Sequence, residues 1–431
     1  MTVTTAVVVL PRRVAVWASR RAVARTSVTG IELACLLCAA VWFSAGTRPT
    51  ALAGGVALGG SYLARRVGRQ LTAGAFDGWL AGLCALAGEL ALYAGLAAAA
   101  AQGQPRVWAL ATAAAILLGM REAARLCRPA RPAAPPPGES QRDDERPGPG
   151  RALALLAARL PGLPAGERAV VITVTAALYG TRMSLLVLTW WGAVALAWTI
   201  AAPRPGSRWS QAADGAASPP PARADIAAAR DDGPLARFAG AVVRGQLVPL
   251  PPAVAGLTAT VLLATLGLRD LAGLVLLTPV AAMLLAAPGC AHPHDGPLDW
   301  LTPLVIQAGE YVYLAALGFA KGVPGPLVFA LTGLVALRHL DAAYRARRRM
   351  PAGHARGGIG WEGRMLVAGV GVMLSVGPLS YLALTVYLMW LLSSGSLASW
   401  LAVRTHSRGV YRASLGSSAP GCLRSAEGAD G

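Results

Sequence analysis

Residues Trp79–Glu89 read WLAGLCALAGE, and residues Trp300–Glu310 read WLTPLVIQAGE. Each stretch ends in a carboxylate set inside an apolar run; the first continues LALYAGLAAAAA. A charged side chain at bilayer depth is costly, so a chain that keeps one there has a partner or a use for it. The surroundings decide the fold class. Of 431 residues, 55% are hydrophobic and 14% are charged. Soluble domains carry roughly a quarter charged residues, so this is a membrane composition. Lys and Arg number 39 against 21 Asp and Glu. The arginines fall between apolar segments, where membrane topology places them, and not along one nucleic-acid-binding face.

Apolar segments lie at about 28–46, 49–64, 75–101, 107–121, 168–181, 183–202, 252–268, 271–288, 300–320, 324–338, 365–378 and 380–402. They predict an all-α polytopic membrane protein with about 12 transmembrane helices and no sheet. Several are shorter than the ~20 residues that an isolated span needs, 168–181 and 365–378 most clearly. Five arginines precede the first segment, and Arg65, Arg66 and Arg69 follow the second. Further clusters run from Arg121 to Arg168, from Arg204 to Arg244, and from Arg345 to Arg349. The alternate loops hold one cation each or none. The positive-inside rule then predicts a multi-pass protein of the cell membrane with both termini cytoplasmic.

The opening match extends. At an offset of 221, Gly46 meets Gly267, Arg48 meets Arg269, and Trp79-Leu80 meets Trp300-Leu301. At an offset of 196, Arg168 meets Arg364, Ser184 meets Ser380, and Leu188-Thr189 meets Leu384-Thr385. The expected organisation is two parallel six-helix repeats, 28–202 and 246–402. A basic N-terminus (1–27), a cytoplasmic linker (203–245) and a disordered tail (403–431) flank them. The Pro-rich loop 129–150 inside the first repeat is expected to be disordered. An even number of spans per copy gives both copies the same orientation about an axis along the membrane normal.

Glu89 and Glu310 are therefore the buried membrane acids to explain. Their candidate partners are Arg168 and Arg364, or Tyr93 and Tyr313 one helical turn along. They either relay a proton or substrate, or lock helices together. Arg65, Arg66, Arg69, Arg121 and Arg168 should ring the cytoplasmic mouth of the first half, with Arg345 and Arg364 in the second. Such a ring suits anionic headgroups or phosphate, and equally sets topology. Asp77 is placed to cap the third helix. The GGVALGG stretch (Gly54–Gly60) has small residues at helix-packing spacing. Cys35 and Cys38 form a CxxC in an apolar segment and read as packed helix residues. His292-Pro-His294-Asp295 fixes no metal geometry. Gly358-x-Gly360-x-x-Gly363 follows no strand, so it is not a dinucleotide site. No metal, cofactor or catalytic residue is assigned; the expected partners are membrane lipids.

The second half resembles an uncharacterised membrane domain of high-GC Gram-positive bacteria that is found fused to CDP-alcohol phosphatidyltransferases. The phrases GPLDWL (Gly296–Leu301), AGEY (Ala308–Tyr311), LRHLDAAYRAR (Leu337–Arg347) and GWEGRMLV (Gly360–Val367) carry the resemblance, with SWL at Ser399–Leu401. The first half, with FDGWLA and GERAVVITVTAALYG, looks like a degenerate CDP-alcohol phosphatidyltransferase. The resemblance implies a scaffold whose four acids would hold a divalent metal at a donor pyrophosphate. Ala64-Arg65 would be the family's Ala-Arg pair. The acid positions then read Ala57, Gly60, Ala81 and Ala85. Without oxygen ligands there is no cage for a divalent ion, and phosphoryl chemistry loses its main charge stabiliser. The implied protein is non-catalytic, binding lipid or assisting a lipid-synthesis enzyme; an active one would be a transferase of that type. The alternative is a proton-coupled transporter or flippase of major-facilitator-like architecture. LARRVGRQ (Leu63–Gln70) resembles that family's loop between its second and third spans, and Glu89 and Glu310 would then carry protons.

Overall fold

The computed structural model describes residues 14, 16, 24–71, 74–128, 165–201, 229–243, 248–268, 270–292, 296, 298–348, 350 and 358–416. The loop 129–150, most of the N-terminal segment and of the linker, residues 417–431, and His294 with Asp295 lie outside them. The described residues are helical, with no strand among them. In the first half the helices are α1 (Arg25–Ser44), α2 (Arg48–Gly68), α3 (Ala75–Ala101), α4 (Val107–Cys127), α5 (Ala165–Tyr179) and α6 (Thr181–Ala201). The second half has α7 (Pro234–Val243), α8 (Leu250–Thr265), α9 (Thr278–Leu284), α10 (Thr302–Ala320), α11 (Gly325–Arg347), α12 (Trp361–Met373) and α13 (Gly377–Gly416). Short 3-10 turns at Gly273–Leu277 and Ala287–Ala291 flank α9, and one at Asp299–Leu301 leads into α10.

Eight of these helical stretches are long and apolar enough to cross a membrane: α1, α3, α4, α6, Gly273–Ala291, Asp299–Ala320, α11 and Gly377–Ala402. Twelve spans were expected. The remaining four segments are helical too, but α5, α8 and α12 have only 15, 16 and 13 residues. An isolated span needs about 20. α2 is 21 residues long but carries Arg48, Arg65 and Arg66 among its glycines.

Helix ends also differ from the hydropathy boundaries. α2 runs on through Arg65 and Arg66 to Gly68, and α11 continues past Arg338 to Arg347. Hydropathy ends a span where polar residues begin. The helical turns beyond that point carry paired arginines: Arg65 meets Glu32 of α1, and Arg345 meets Asp341 of its own helix. Two further helical stretches fall where the sequence reads as linker and tail: α7, and α13 as far as Gly416.

Local chemistry sets the turns. Gly46 (φ +70°) follows α1 and Gly267 (φ +106°) follows α8, each in the left-handed region that favours glycine. Thr47 and Thr50 then close a reciprocal capping box at the start of α2, with a proline in its first turn. Asp77 accepts the Gly74 N–H at 3.0 Å and caps α3.

α1 packs on α2 and α3, α5 on α2 and α6, and α4 on α6. In the second half α8 packs on α9 and α10, and α13 on α11 and α12. Between the halves α4 lies against α11, while α3 touches α11 and α10 touches α4. Small residues allow the closest approaches. In GGVALGG the contact is made at Gly54 against Phe43 and at Gly55 against Thr173. Gly95 of α3 is as tight and faces backbone: a Cβ there would lie 2.3 Å from the Ala40 carbonyl oxygen. Backbone cannot swing aside as a side chain can. Gly95→Ala is therefore expected to separate α1 from α3 and cost about 1–3 kcal/mol, read as a lowered midpoint in thermal unfolding; an unchanged midpoint would contradict this packing.

Candidate functional site

Both membrane acids are buried, and each holds the arginine expected of it. Arg168, in the first turn of α5, donates through Nη2 to Glu89 Oε1. Arg364, in the first turn of α12, donates through Nε to Glu310 Oε1 at 2.6 Å and through Nη2 to Oε2 at 3.0 Å. Tyr93 and Tyr313 do not take that role; the Tyr313 hydroxyl donates to the Leu276 carbonyl at 3.1 Å. Arg65 in the last turn of α2 donates to Glu32 of α1 at 2.7 Å and stands 3.8 Å from Glu89 Oε1. Glu89 is mid-helix in α3, yet its partners come from helix ends.

The two polar centres differ in one respect that bears on function. Around Glu89 a small cavity of about 30 Å³, partly open to solvent, is lined by Glu32, Ser61, Tyr62, Arg65, Glu89 and Arg168, with an apolar wall that includes Leu92, Tyr93 and Ile172. Glu89 is 9% exposed, and its Oε2 has no hydrogen-bond partner among the described residues. Glu310, by contrast, is 0% exposed and has both oxygens occupied. His339 Nε2 lies 2.9 Å from Oε2, so that nitrogen carries the ring proton if the carboxylate is ionised.

What closes the second centre is Asp231, in the turn before α7. Its carboxylate takes Arg364 Nη1 and Arg338 Nη2, each at 2.7 Å. The turn is fastened to the start of α12. The Trp361 indole N–H donates to Asp232 at 2.9 Å. Glu362 accepts the N–H groups of Gly233 and Ala236 at 3.1 and 3.2 Å, capping α7 from another helix. Asp231 itself has φ +53°, a backbone conformation held by these ties. Burial pushes the Asp231 carboxyl up, but Arg338, Arg364 and His339 outweigh it and hold the group below its usual range. A depressed carboxylate pKa stabilises the fold above the unfolded value of about 3.9 and loses that contribution as pH falls toward the folded value. The difference in thermal midpoint between wild type and Asp231→Asn should thus be constant near neutrality and shrink below about pH 4; a difference that grows with acidity would contradict this assignment.

The remaining predicted arginines are placed as follows. Arg66 lies over the Tyr62 ring at 5.8 Å, and Arg69 is exposed at the end of α2. Arg121 is buried and donates to Glu122 at 2.8 Å. Arg345 is buried, donating to Asp341 at 2.7 Å and to Ser399 at 2.9 Å. Arg345 and Arg364 thus pair with internal carboxylates in the second half. Glu32, Asp231, His339 and Asp341 complete these centres and were not singled out by sequence. For Asp341 a signal existed: Arg338, Asp341 and Arg345 recur at helical spacing in LRHLDAAYRAR. Among the described residues no group of three or more His, Cys, Asp or Glu could hold a metal ion.

Residues 220–416 match a family of unknown function, DUF5941. That segment covers the whole second centre and stops short of the open pocket of the first half. No curated protein matches the chain, and no solved structure matches it.

Proposed function

We propose that the chain is a multi-pass membrane protein built from a duplicated six-helix unit, that its first copy holds a membrane lipid by the headgroup, and that it catalyses no transfer. The duplication is supported by more than the matched letters. α1 and α8 end 221 residues apart, at Ser44 and Thr265. α5 and α12 begin 196 residues apart, as do α6 and α13. The acids matched at one offset bind the arginines matched at the other. Six helices per copy keep both in one orientation, with both termini on the cytoplasmic side by the arginine distribution.

One observation carries the lipid reading: the partly open pocket at Glu89 is lined by Arg65 from the last turn of α2 and Arg168 from the first turn of α5, two guanidinium groups beside an apolar wall. Guanidinium groups suit a phosphate headgroup, and the aliphatic and aromatic wall suits the apolar part of a lipid. The lack of transfer chemistry follows from Ala57, Gly60, Ala81 and Ala85, which supply no oxygen to a divalent ion. A lipid-holding accessory to a phospholipid-synthesis enzyme fits both properties. The test is native mass spectrometry of protein extracted without detergent. Wild type should retain a phospholipid, and Arg65→Gln should retain less. Release of CMP from a CDP-linked donor by the purified protein would overturn the non-catalytic part. Proton-coupled uptake abolished by Glu89→Gln would favour a transporter.

A further inference from the structure

The pocket at Glu89 shows what kind of group it takes. Its four ionisable residues are two acids, Glu32 and Glu89, and two arginines, Arg65 and Arg168, so an exclusively anionic ligand would meet two carboxyl groups beside the guanidinium groups. Glu89 spends Oε1 on Arg168 and leaves Oε2 without a donor. A buried carboxylate oxygen without a donor is expensive. The second centre shows the same arrangement completed: there Oε2 of Glu310 meets His339 Nε2 from α11 and Arg364 Nη2. α4, which occupies the corresponding place in the first half, contains no histidine. The mouth is different in sign. Arg65 is a quarter exposed, and Arg66 and Arg69 follow it on α2.

Resting on the lipid reading above, we infer that the ligand's headgroup is dipolar: a hydrogen-bond-donating ammonium seated on Glu89 Oε2, with its phosphodiester at Arg65. This identifies an aminophospholipid as the ligand class. An N–H donor completes the carboxylate as His339 does in the other half, and the guanidinium takes the phosphate oxygens. A quaternary ammonium of the same charge has no N–H to give.

The test uses full-length protein in nanodiscs, with native mass spectrometry reading lipid occupancy. The probes are phosphatidylethanolamine, its N-methyl and N,N-dimethyl derivatives, and phosphatidylcholine. Occupancy should hold while one N–H remains and fall at least tenfold at the trimethyl step. Glu89→Gln turns an amide N–H toward the ammonium and should abolish the preference, with Arg65→Gln weakening all four lipids alike. The methylation series in wild type stands even if Glu89→Gln fails to fold. Equal binding of all four lipids, or tighter binding of phosphatidylglycerol than of phosphatidylethanolamine, would overturn the dipolar assignment and leave the lipid pocket intact. Binding of none would overturn the lipid reading itself.

Discussion

Replacing Arg364 by alanine is expected to destabilise the protein by about 3–5 kcal/mol, the usual cost of removing one partner from a buried ion pair. Arg364 is wholly buried and satisfies two carboxylates at once, Glu310 at 2.6 and 3.0 Å and Asp231 at 2.7 Å. Without it, Glu310 keeps His339 and Asp231 keeps Arg338, but two negative charges face each other across the vacated space. Lysine should rescue in part. It restores the charge but cannot bridge both acids with a planar fork. The matched change in the first half, Arg168→Ala, should cost less. Glu89 there borders an open pocket and has Arg65 at 3.8 Å as a second cation. Thermal unfolding of the three variants checks the order, and equal losses for Arg364→Ala and Arg168→Ala would contradict the contrast between a sealed centre and an open one.

That contrast marks how far the sequence could be read. The membrane class and the all-helical architecture follow from apolar runs, which are local. Glu89 and Glu310 stand out because a carboxylate inside such a run is conspicuous. Their arginine partners were legible because Arg168 and Arg364 each open a short apolar segment at a matched offset. Asp231 was not legible. It lies in a segment without hydrophobic period, and its position depends on Glu362 and Trp361, more than 120 residues away. Glu32 is spatially beside Arg65 yet 33 residues from it, and nothing local pairs the two. Of the twelve expected spans, eight are long and apolar enough to cross a membrane, and the other four segments are helical. Hydropathy sees the arginines of α2 and α11 as a boundary, while in the fold Arg65 meets Glu32 of α1 and Arg338 meets Asp231 before α7.

Asp341 is where the two halves depend on each other most directly, and its loss is the other large effect expected. Its Oδ1 accepts the Trp79 indole N–H from α3 and Arg345 Nε, both at 2.7 Å, and its Oδ2 lies 3.4 Å from Arg338 Nη1. Arg345 in turn stacks over the Trp79 ring at 4.7 Å. The Asp, Arg and Trp therefore form one unit across the contact between α3 and α11. Asp341→Ala leaves a buried guanidinium without its carboxylate and an indole N–H without its acceptor. About 3–5 kcal/mol should be lost, as for any buried pair broken from one side. Trp79→Phe removes only the indole N–H and should cost nearer 1 kcal/mol for the hydrogen bond, plus the weaker stacking under Arg345. Because both changes touch the same unit, the double variant should lose less than their sum, with a coupling of about 0.5–3 kcal/mol in a double-mutant cycle. Additive losses would mean that the tryptophan and the aspartate act independently, and that the halves are held together by the packing of α4 on α11 instead.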